Sequence, residues 1–183
     1  MSLQLITPPT SEPVTLAEAK AHLKLDTSDE DTLVGTLITA ARARAEWHTG
    51  RAFVTQHWRL SLDAWPHGDV AEIPLPPLVS VEEVAVIASD GVRTLLDPVV
   101  YRVDTAAQPG RMIFTDRPQS LRRYDCLQIA FTAGYGDASA VPAAVREAIL
   151  EIVADLYSHR GDDDDPVGLV GQALLAPYRI FKL

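Results

Sequence analysis

The spacing of hydrophobic residues near the start of the chain predicts a short helix. Leucine and alanine recur at helical spacing in "TLAEAKAHLKL", from Leu16 onward. Thr15 and Glu18 have the spacing of a capping box, in which each residue satisfies a free backbone N–H of the first turn. We therefore expect a helix over residues 15–25, preceded by an extended arm of ~14 residues rich in Pro, Ser and Thr.

A second, longer helix is predicted over residues 29–49. Ser28 and Asp31 repeat the capping spacing, and Gly50 is a typical helix stop. One apolar stripe runs along this helix and comprises Val34, Ile38, Ala41 and Ala45. Arg42, Arg44 and Arg51 lie close to acids such as Glu46, and such pairs could serve between neighbouring subunits of an assembly.

The middle of the chain changes to strand periodicity. In "HWRLSLDAW" apolar and polar residues alternate, and Asp90-Gly91 is a typical hairpin turn within "SVEEVAVIASDGVRTLL". The segments "YRVD", "RMIFT" and "DCLQIAFTAGYG" are further strand candidates. We expect a mostly antiparallel unit of five or six strands over residues 54–132.

Helical spacing returns in "VPAAVREAILEIVADLYSHRG", where Pro142 suits the first turn and Gly161 the end. Its broad apolar face places this helix at the centre of the core. The predicted fold class is α+β, with three main helices, an inserted β unit and an extended C-terminal arm. The predicted parts are residues 1–53, 54–133, 134–161 and 162–183.

The end of the chain combines an acidic run with a dense apolar tail. Asp162–Asp165 repel one another and lack the spacing of a calcium loop, which favours a solvated linker over a metal site. The tail "LVGQALLAPYRIFKL" either folds back onto its own core or docks into a partner. Pro177 indicates an arm rather than a continuous helix.

Composition narrows the function classes. The formal net charge of the 183 residues is −9 and the arginines are scattered, so a surface that grips DNA is not expected. No apolar run is long enough for a membrane helix, and the N-terminus lacks the features of a secretory signal. Cys126 is the only cysteine, which excludes an internal disulfide, and its strand position indicates a small core residue.

No pattern predicts catalytic, cofactor or metal residues. Phosphate-loop, HExxH, CxxC and GxSxG motifs are absent, and no two histidines are spaced i, i+4 on a predicted helix. His57, Ser61 and Asp63 form a triad only on paper, without a nucleophile elbow. Trp58 and Trp65 are seven positions apart, which places them on opposite faces of a regular strand rather than on one sugar-binding platform.

Seven segments in order carry a resemblance to a known family. They are "PVTLAEAKAHLKLD", "ITAARARAEWHTGRAFVTQHWRLSLDAWP", "IPLPPLVSVEEV", "YRVD", "FTAGYGD", "VPAAVREAILEIVADLYSHR" and "LLAPYR". Together they span nearly the whole chain. The sequence resembles the head–tail connector (adaptor) proteins of tailed bacteriophages and related gene transfer agents.

The resemblance implies a structural role rather than an enzymatic one. It implies a homo-oligomeric ring on the order of twelve subunits, closed by heterologous contacts. Such a ring sits in the neck of a virion or virion-like particle, between the portal and a tail-side stopper or tail terminator. It is assembled in the bacterial cytoplasm without cofactor or membrane, and double-stranded DNA passes through its channel without specific binding. The positions that the resemblance assigns to portal docking are Leu174, Leu175, Pro177, Tyr178 and Arg179.

Two other function classes stay open at this point. The first is an enzyme, such as a metal-dependent nuclease that uses Asp162–Asp165. The second is a carbohydrate- or protein-binding module built on the β unit. The acidic linker favours neither, and the structural connector is the preferred hypothesis.

Overall fold

The computed structural model describes residues 1–118, 121–159 and 167–180. The chain divides into two compact units. One unit is built of strands and comprises residues 1–9 and 55–134, and we call it the β unit. The other comprises residues 10–54 and 135–183 and is called the helical unit.

The described residues of the helical unit form four α-helices. They are α1 (Leu16–Leu23), α2 (Asp31–Thr49), α3 (Ala143–Ser158) and α4 (Gly168–Leu175). Helix α3 contacts each of the other three, and its buried residues include Ile149 and Ile152. The central position predicted for this helix is confirmed, because its broad apolar face is covered by neighbours on several sides. None of the described helices is long and apolar enough to cross a membrane.

The start of α1 forms the capping box that the sequence predicts. The Thr15 hydroxyl accepts the Glu18 N–H at 3.2 Å, and the Glu18 carboxylate accepts the Thr15 N–H at 2.7 Å. The hydrogen bonds from Thr15 hold the pKa of Glu18 below its usual range, with a smaller contribution from Arg146. The local pattern alone therefore specifies where this helix begins.

The second predicted cap is wrong. Helix α2 begins after Glu30, and no side chain caps it. Asp31 instead accepts a hydrogen bond from the Lys20 ammonium at 2.6 Å, so an ion pair to α1 has taken the carboxylate that a capping box would use. The other end matches the prediction, because Gly50 adopts φ +70° and ends the helix. The predicted stop of α3 at Gly161 lies outside the described residues.

Arg42 on α2 joins distant parts of the helical unit through a buried ion-pair network. Its guanidinium donates to Glu12 and Glu46, each at 2.6 Å. The second Glu46 oxygen accepts the Phe53 N–H at 2.8 Å. Burial by itself disfavours the charged arginine, but the two carboxylates outweigh it and raise the pKa of Arg42.

This network corrects the idea that Arg42 and Arg51 pair between subunits. Both side chains are buried within their own chain, and Arg51 donates to the Tyr178 carbonyl at 2.5 Å. Of the three arginines, Arg44 alone lies on the exposed side of α2. Sequence spacing showed acids nearby but not that two of these arginines point into the core.

The β unit, as far as its residues are described, contains eight strands in two antiparallel sheets. They are β1 (Ser2–Thr7), β2 (Gln56–Leu62), β3 (Val70–Ile73), β4 (Leu78–Ile87), β5 (Arg93–Leu95), β6 (Tyr101–Asp104), β7 (Gly110–Phe114) and β8 (Leu127–Ala133). The five-stranded sheet has the order β1-β2-β8-β4-β5, and the three-stranded sheet has the order β3-β7-β6. The predicted hairpin is confirmed, since β4 and β5 pair and Gly91 between them has φ +88°.

Two expectations for the strands are corrected. The extended arm predicted at the chain start belongs to a sheet, because β1 pairs antiparallel with β2. The described residues of the segment 54–132 form seven strands rather than five or six. Both errors have one cause: β1 and β3 are short or exposed along much of their length, and their partners are distant in sequence.

Gly110, at the start of β7, lies close against the side chain of Leu78. A Cβ atom at this position would lie 2.5 Å from Cδ2 and 2.8 Å from Cβ of Leu78. No side chain fits such a separation, so Leu78 occupies the space that a larger residue at 110 would need.

The capping box gives a first testable prediction. Thr15→Ala removes the acceptor for the Glu18 N–H and should lower the free energy of unfolding by about 1 kcal/mol. Urea unfolding followed by far-UV circular dichroism measures it. The control is Thr32→Ala, an exposed α2 position expected to change stability by less than about 0.5 kcal/mol. Equal effects of the two substitutions would argue against the cap.

The buried network gives a second prediction. Arg42→Met leaves Glu12 and Glu46 without their cation and should cost about 3 kcal/mol at neutral pH. Arg44→Met, on the exposed side of the same helix, is the matched control and should stay within about 0.5 kcal/mol. The urea midpoint of the helical signal reports both. A stability loss for Arg42→Met no larger than that of the control would contradict the network.

Candidate partner-binding surfaces

The described part of the C-terminal segment folds back onto the helical unit. Its residues 168–175 form helix α4, which packs against α3, and Ala176–Tyr178 form a further 3-10 turn. The expected extended arm is therefore corrected: it contains a fourth helix. Apolar residues at helical spacing explain this, because Val167, Gly171 and Leu175 are buried together, and Pro177 follows the helix instead of interrupting it.

Main-chain contacts hold the end of this segment. The Arg51 guanidinium donates to the Tyr178 carbonyl, and the Ile180 N–H donates to the Thr49 carbonyl at 2.9 Å. Tyr135 packs against the same core, and burial raises the pKa of its hydroxyl. The segment is thus fastened at several points along its length.

The five positions expected to dock to the portal are not equally accessible. Pro177 and Arg179 are exposed. Leu174 and Tyr178 are half-buried against the core, and Leu175 is completely buried. Pro177 and Arg179 are therefore the most accessible of the five positions, and Leu175 is the one that a partner cannot reach without moving the segment.

Helix α2 carries an exposed aromatic side chain that the sequence analysis did not single out. Trp47 is 88% exposed. Its neighbours on the same face of the helix, Ala40, Ala43 and Arg44, are also exposed. The buried stripe of α2 lies on the opposite side, since Trp47 follows Ala45 by two residues, about 200° around the helix. Because Trp47 is two residues from Ala45 of the predicted apolar stripe, helical periodicity could have indicated that it is exposed.

A groove lies between α3 and α4. It has a volume of about 310 Å³, and Glu151 and Asp155 line it from α3. Leu169 and Val170 line it from α4 and are 86% and 58% exposed. The groove thus has acidic side chains along one edge and an apolar lip along the other. Sequence reasoning missed it because its two edges come from segments separated by the acidic linker.

One set of side chains in the helical unit could hold a metal ion. His22 on α1 and Glu147 and Glu151 on α3 each offer one ligand atom, and these atoms lie within 4.8 Å of one another. The His22 Nε2 is 3.8 Å from the Glu151 carboxylate, which is a simple ion-pair geometry when the histidine is protonated. A search for histidine pairs at i, i+4 cannot find such a set, because its ligands come from two helices.

Three arginines that are close in sequence line one cavity of the β unit. Arg117, Arg122 and Arg123 line a cavity of about 620 Å³ beside Trp65 and Cys126. Arg122 is held by Asp125 at 2.8 Å and lies 4.4 Å from the centre of the Tyr124 ring. Burial raises the pKa of the Cys126 thiol, which agrees with its predicted place as a small core residue.

Two members of the possible triad of His57, Ser61 and Asp63 are engaged in other contacts. The Asp63 carboxylate binds the terminal ammonium of Met1 at 2.5 Å, and this pairing lowers the pKa of Asp63. His57 contacts Thr132 at 2.9 Å and lies 3.6 Å from Glu82. His57 and Asp63 therefore serve separate contacts.

The tryptophans do not form a sugar platform. Trp65 is buried against Phe114 with ring centres 4.6 Å apart, and its indole N–H donates to Asp69 at 2.7 Å. The aspartate run Asp162–Asp165, proposed as the alternative enzyme site, lies outside the described residues.

Comparisons with known proteins agree with the resemblance seen in the sequence. Residues 13–92 match the family model of phage gp6-like head-tail connector proteins. No match to a curated protein sequence was found. Among solved structures, a chain in the neck of an empty gene transfer agent (GTA) particle, computed with C6 symmetry, has a TM-score of 0.84 and 28% identity. The match covers 100% of this chain and 97% of that one.

Two further chains agree with that match. A chain from the neck of a native GTA particle, computed with C12 symmetry, has a TM-score of 0.81 and 26% identity, covering 100% of this chain and 97% of that chain. A chain from the virion of a native GTA particle has a TM-score of 0.80, again with 26% identity and the same coverage. These findings support a structural connector and none of them supports the enzyme alternative. The predicted resemblance to the head–tail connector (adaptor) family of tailed bacteriophages and gene transfer agents is thus confirmed.

Proposed function

We propose that this chain is the subunit of a head–tail connector ring that joins a portal to the tail-side neck proteins of a phage or GTA-like particle. The observation that carries the proposal is the full-length match, at TM-score 0.84 and 28% identity, to a chain in the neck of a GTA particle. Because the match covers both units, it extends to the whole chain rather than to one shared helix pair.

The ring follows from the symmetry of the related particles. Their necks were computed with C6 and C12 symmetry, which supports a homo-oligomeric ring, and we propose twelve subunits. Subunits in such a ring meet through two different faces. The chain carries no catalytic role in this proposal, and its assembly takes place in the bacterial cytoplasm.

Passage of DNA fits the charge of the chain. The formal net charge of −9 disfavours tight phosphate binding over the surface as a whole. A channel through which DNA slides benefits from weak, sequence-independent contact. We therefore propose that DNA passes through the ring without specific recognition.

The partner on the head side is the portal, and the C-terminal segment is the proposed contact. Pro177 and Arg179 are accessible as the chain stands. Leu174 and Tyr178 offer only their exposed portions, and Leu175, which is completely buried, contributes only if the segment leaves its own core. A stopper or tail terminator occupies the other side of the ring.

The ring itself is tested by electron microscopy of particles. Reconstruction of the neck should show copies of this chain in one closed ring directly below the portal. Particles that contain a neck but lack this chain, or that hold it outside the neck, would overturn the proposed function.

The portal contact is tested at its exposed position. Arg179→Glu should reduce co-purification of the chain with the portal by about tenfold, the loss expected when a favourable contact becomes a like-charge or unpaired one. Arg102→Glu is the matched control, because Arg102 is an exposed arginine of the β unit. Equal portal binding by both variants would contradict a contact at Arg179.

Substitutions in the acidic run distinguish the connector hypothesis from the nuclease hypothesis. Replacing Asp162–Asp165 with asparagines should leave particle assembly unchanged, because a solvated linker needs no particular carboxylate. Plaque or transfer titre with the variant chain measures this. Loss of titre together with a changed divalent-ion requirement would favour the enzyme instead.

A further inference from the structure

Trp47 is an unusual surface residue. Tryptophan has a large apolar area, and a protein that leaves it 88% exposed gains nothing from it in the isolated chain. Exposed aromatic side chains of this kind are enriched among the residues that dominate protein–protein binding. The alanines at positions 40 and 43 keep the surrounding helix surface low, so the indole stands out from it.

The groove between α3 and α4 offers a surface of complementary shape. Its volume of about 310 Å³ is at the lower end of the range of ligand pockets, ~300–1,000 Å³. Leu169 and Val170 expose apolar surface at its lip, where they would pack against an aromatic ring. One large side chain therefore suits it better than an extended ligand.

The charges of the two surfaces are also complementary. Arg44 lies one helical turn before Trp47, is exposed, and has no ion pair among the described residues. The groove is lined by Glu151 and Asp155 and by no lysine or arginine among its described residues. His22 lies 3.8 Å from Glu151 and His159 lies 3.1 Å from Asp155, and a further carboxylate, that of Glu147, lies beside Glu151.

Trp47 cannot fill the groove of its own chain. The buried stripe of α2 joins the core that it shares with α3, and Trp47 lies about 200° around the helix from Ala45 in that stripe. The tryptophan face and the groove are thus different faces of the helical unit. A contact between two different faces is heterologous, so each subunit both gives and receives one, and the contact continues around a ring.

We propose that Trp47 of one subunit inserts into the α3–α4 groove of the next copy of this chain, with Arg44 facing Glu151 and Asp155. The inference rests on the proposed ring and names the contact that closes it. We assign the groove to a second copy because both surfaces occur on this chain and their charges are opposite. Arg44 beside Trp47 is basic, and the groove is acidic.

Crosslinking in assembled particles tests the geometry. The variant carries Trp47→Cys and Leu169→Cys and is treated with a short bismaleimide, which does not reach buried Cys126. Denaturing gels should show a ladder of dimers, trimers and higher multimers of this chain. Each single-cysteine variant should give no ladder, since a heterologous contact does not bring two Trp47 positions or two Leu169 positions together.

The outcomes separate this inference from the function on which it rests. Absence of the unsubstituted chain from the particle neck defeats the proposed function. Presence in the neck without a ladder defeats only the contact, as do dimers from Trp47→Cys alone, which indicate a self-complementary contact. A crosslink from position 47 to another particle protein also overturns the contact, because it assigns Trp47 to a different partner.

A charge swap tests the pairing without relying on crosslinks. Arg44→Glu and Asp155→Arg should each lower the yield of complete particles by about tenfold, and the double variant should recover most of it. Circular dichroism of each purified chain confirms folding, and Arg102→Glu is the control for a general loss of positive charge. A double variant no better than the single variants overturns the proposed pairing.

Discussion

The helical unit depends on one buried cation. Arg42 holds Glu12, in the segment where the chain enters the unit, and Glu46, whose other oxygen takes the N–H of Phe53 shortly before the chain leaves it. A single guanidinium thereby fixes entry and exit against the same helix. Because charges removed from water are costly unless paired, the three side chains must be placed together or not at all. This gives α2 a defined position before any apolar packing is counted.

The same end of α2 also holds the C-terminal segment. Thr49 and Arg51, which flank Gly50, bind the backbone of Ile180 and Tyr178. Gly50 ends the helix with φ +70° and so releases the chain in the direction that brings Arg51 inward. The position of the last described residues is thus set by local geometry at residues 49–51. Both the ion-pair network and the C-terminal contacts leave the outer face of α2 uncovered, where Trp47 stands.

Sequence patterns predicted what neighbouring residues decide and missed what distant ones decide. The capping box at Thr15 and the turn at Gly91 need only residues within one short segment, and both are confirmed. The cap at Ser28 was wrong because Lys20, on another helix, takes Asp31. Helix α4 was hidden by Pro177, although that proline comes after the helix. The groove and the Trp47 face required knowing which sides of α2, α3 and α4 are covered, which periodicity gives for one helix at a time.

The contact between Gly110 and Leu78 limits which pairs of residues can occupy these two positions of the β unit during evolution. Their atoms leave no space for a side chain at 110 while a leucine stands at 78. A smaller residue at 78 removes the contact with Cδ2 but keeps the contact with Cβ at 2.8 Å, so a larger residue at 110 also requires the backbone to shift. In relatives as diverged as 28% identity, we expect these two positions to vary in concert or remain as they are.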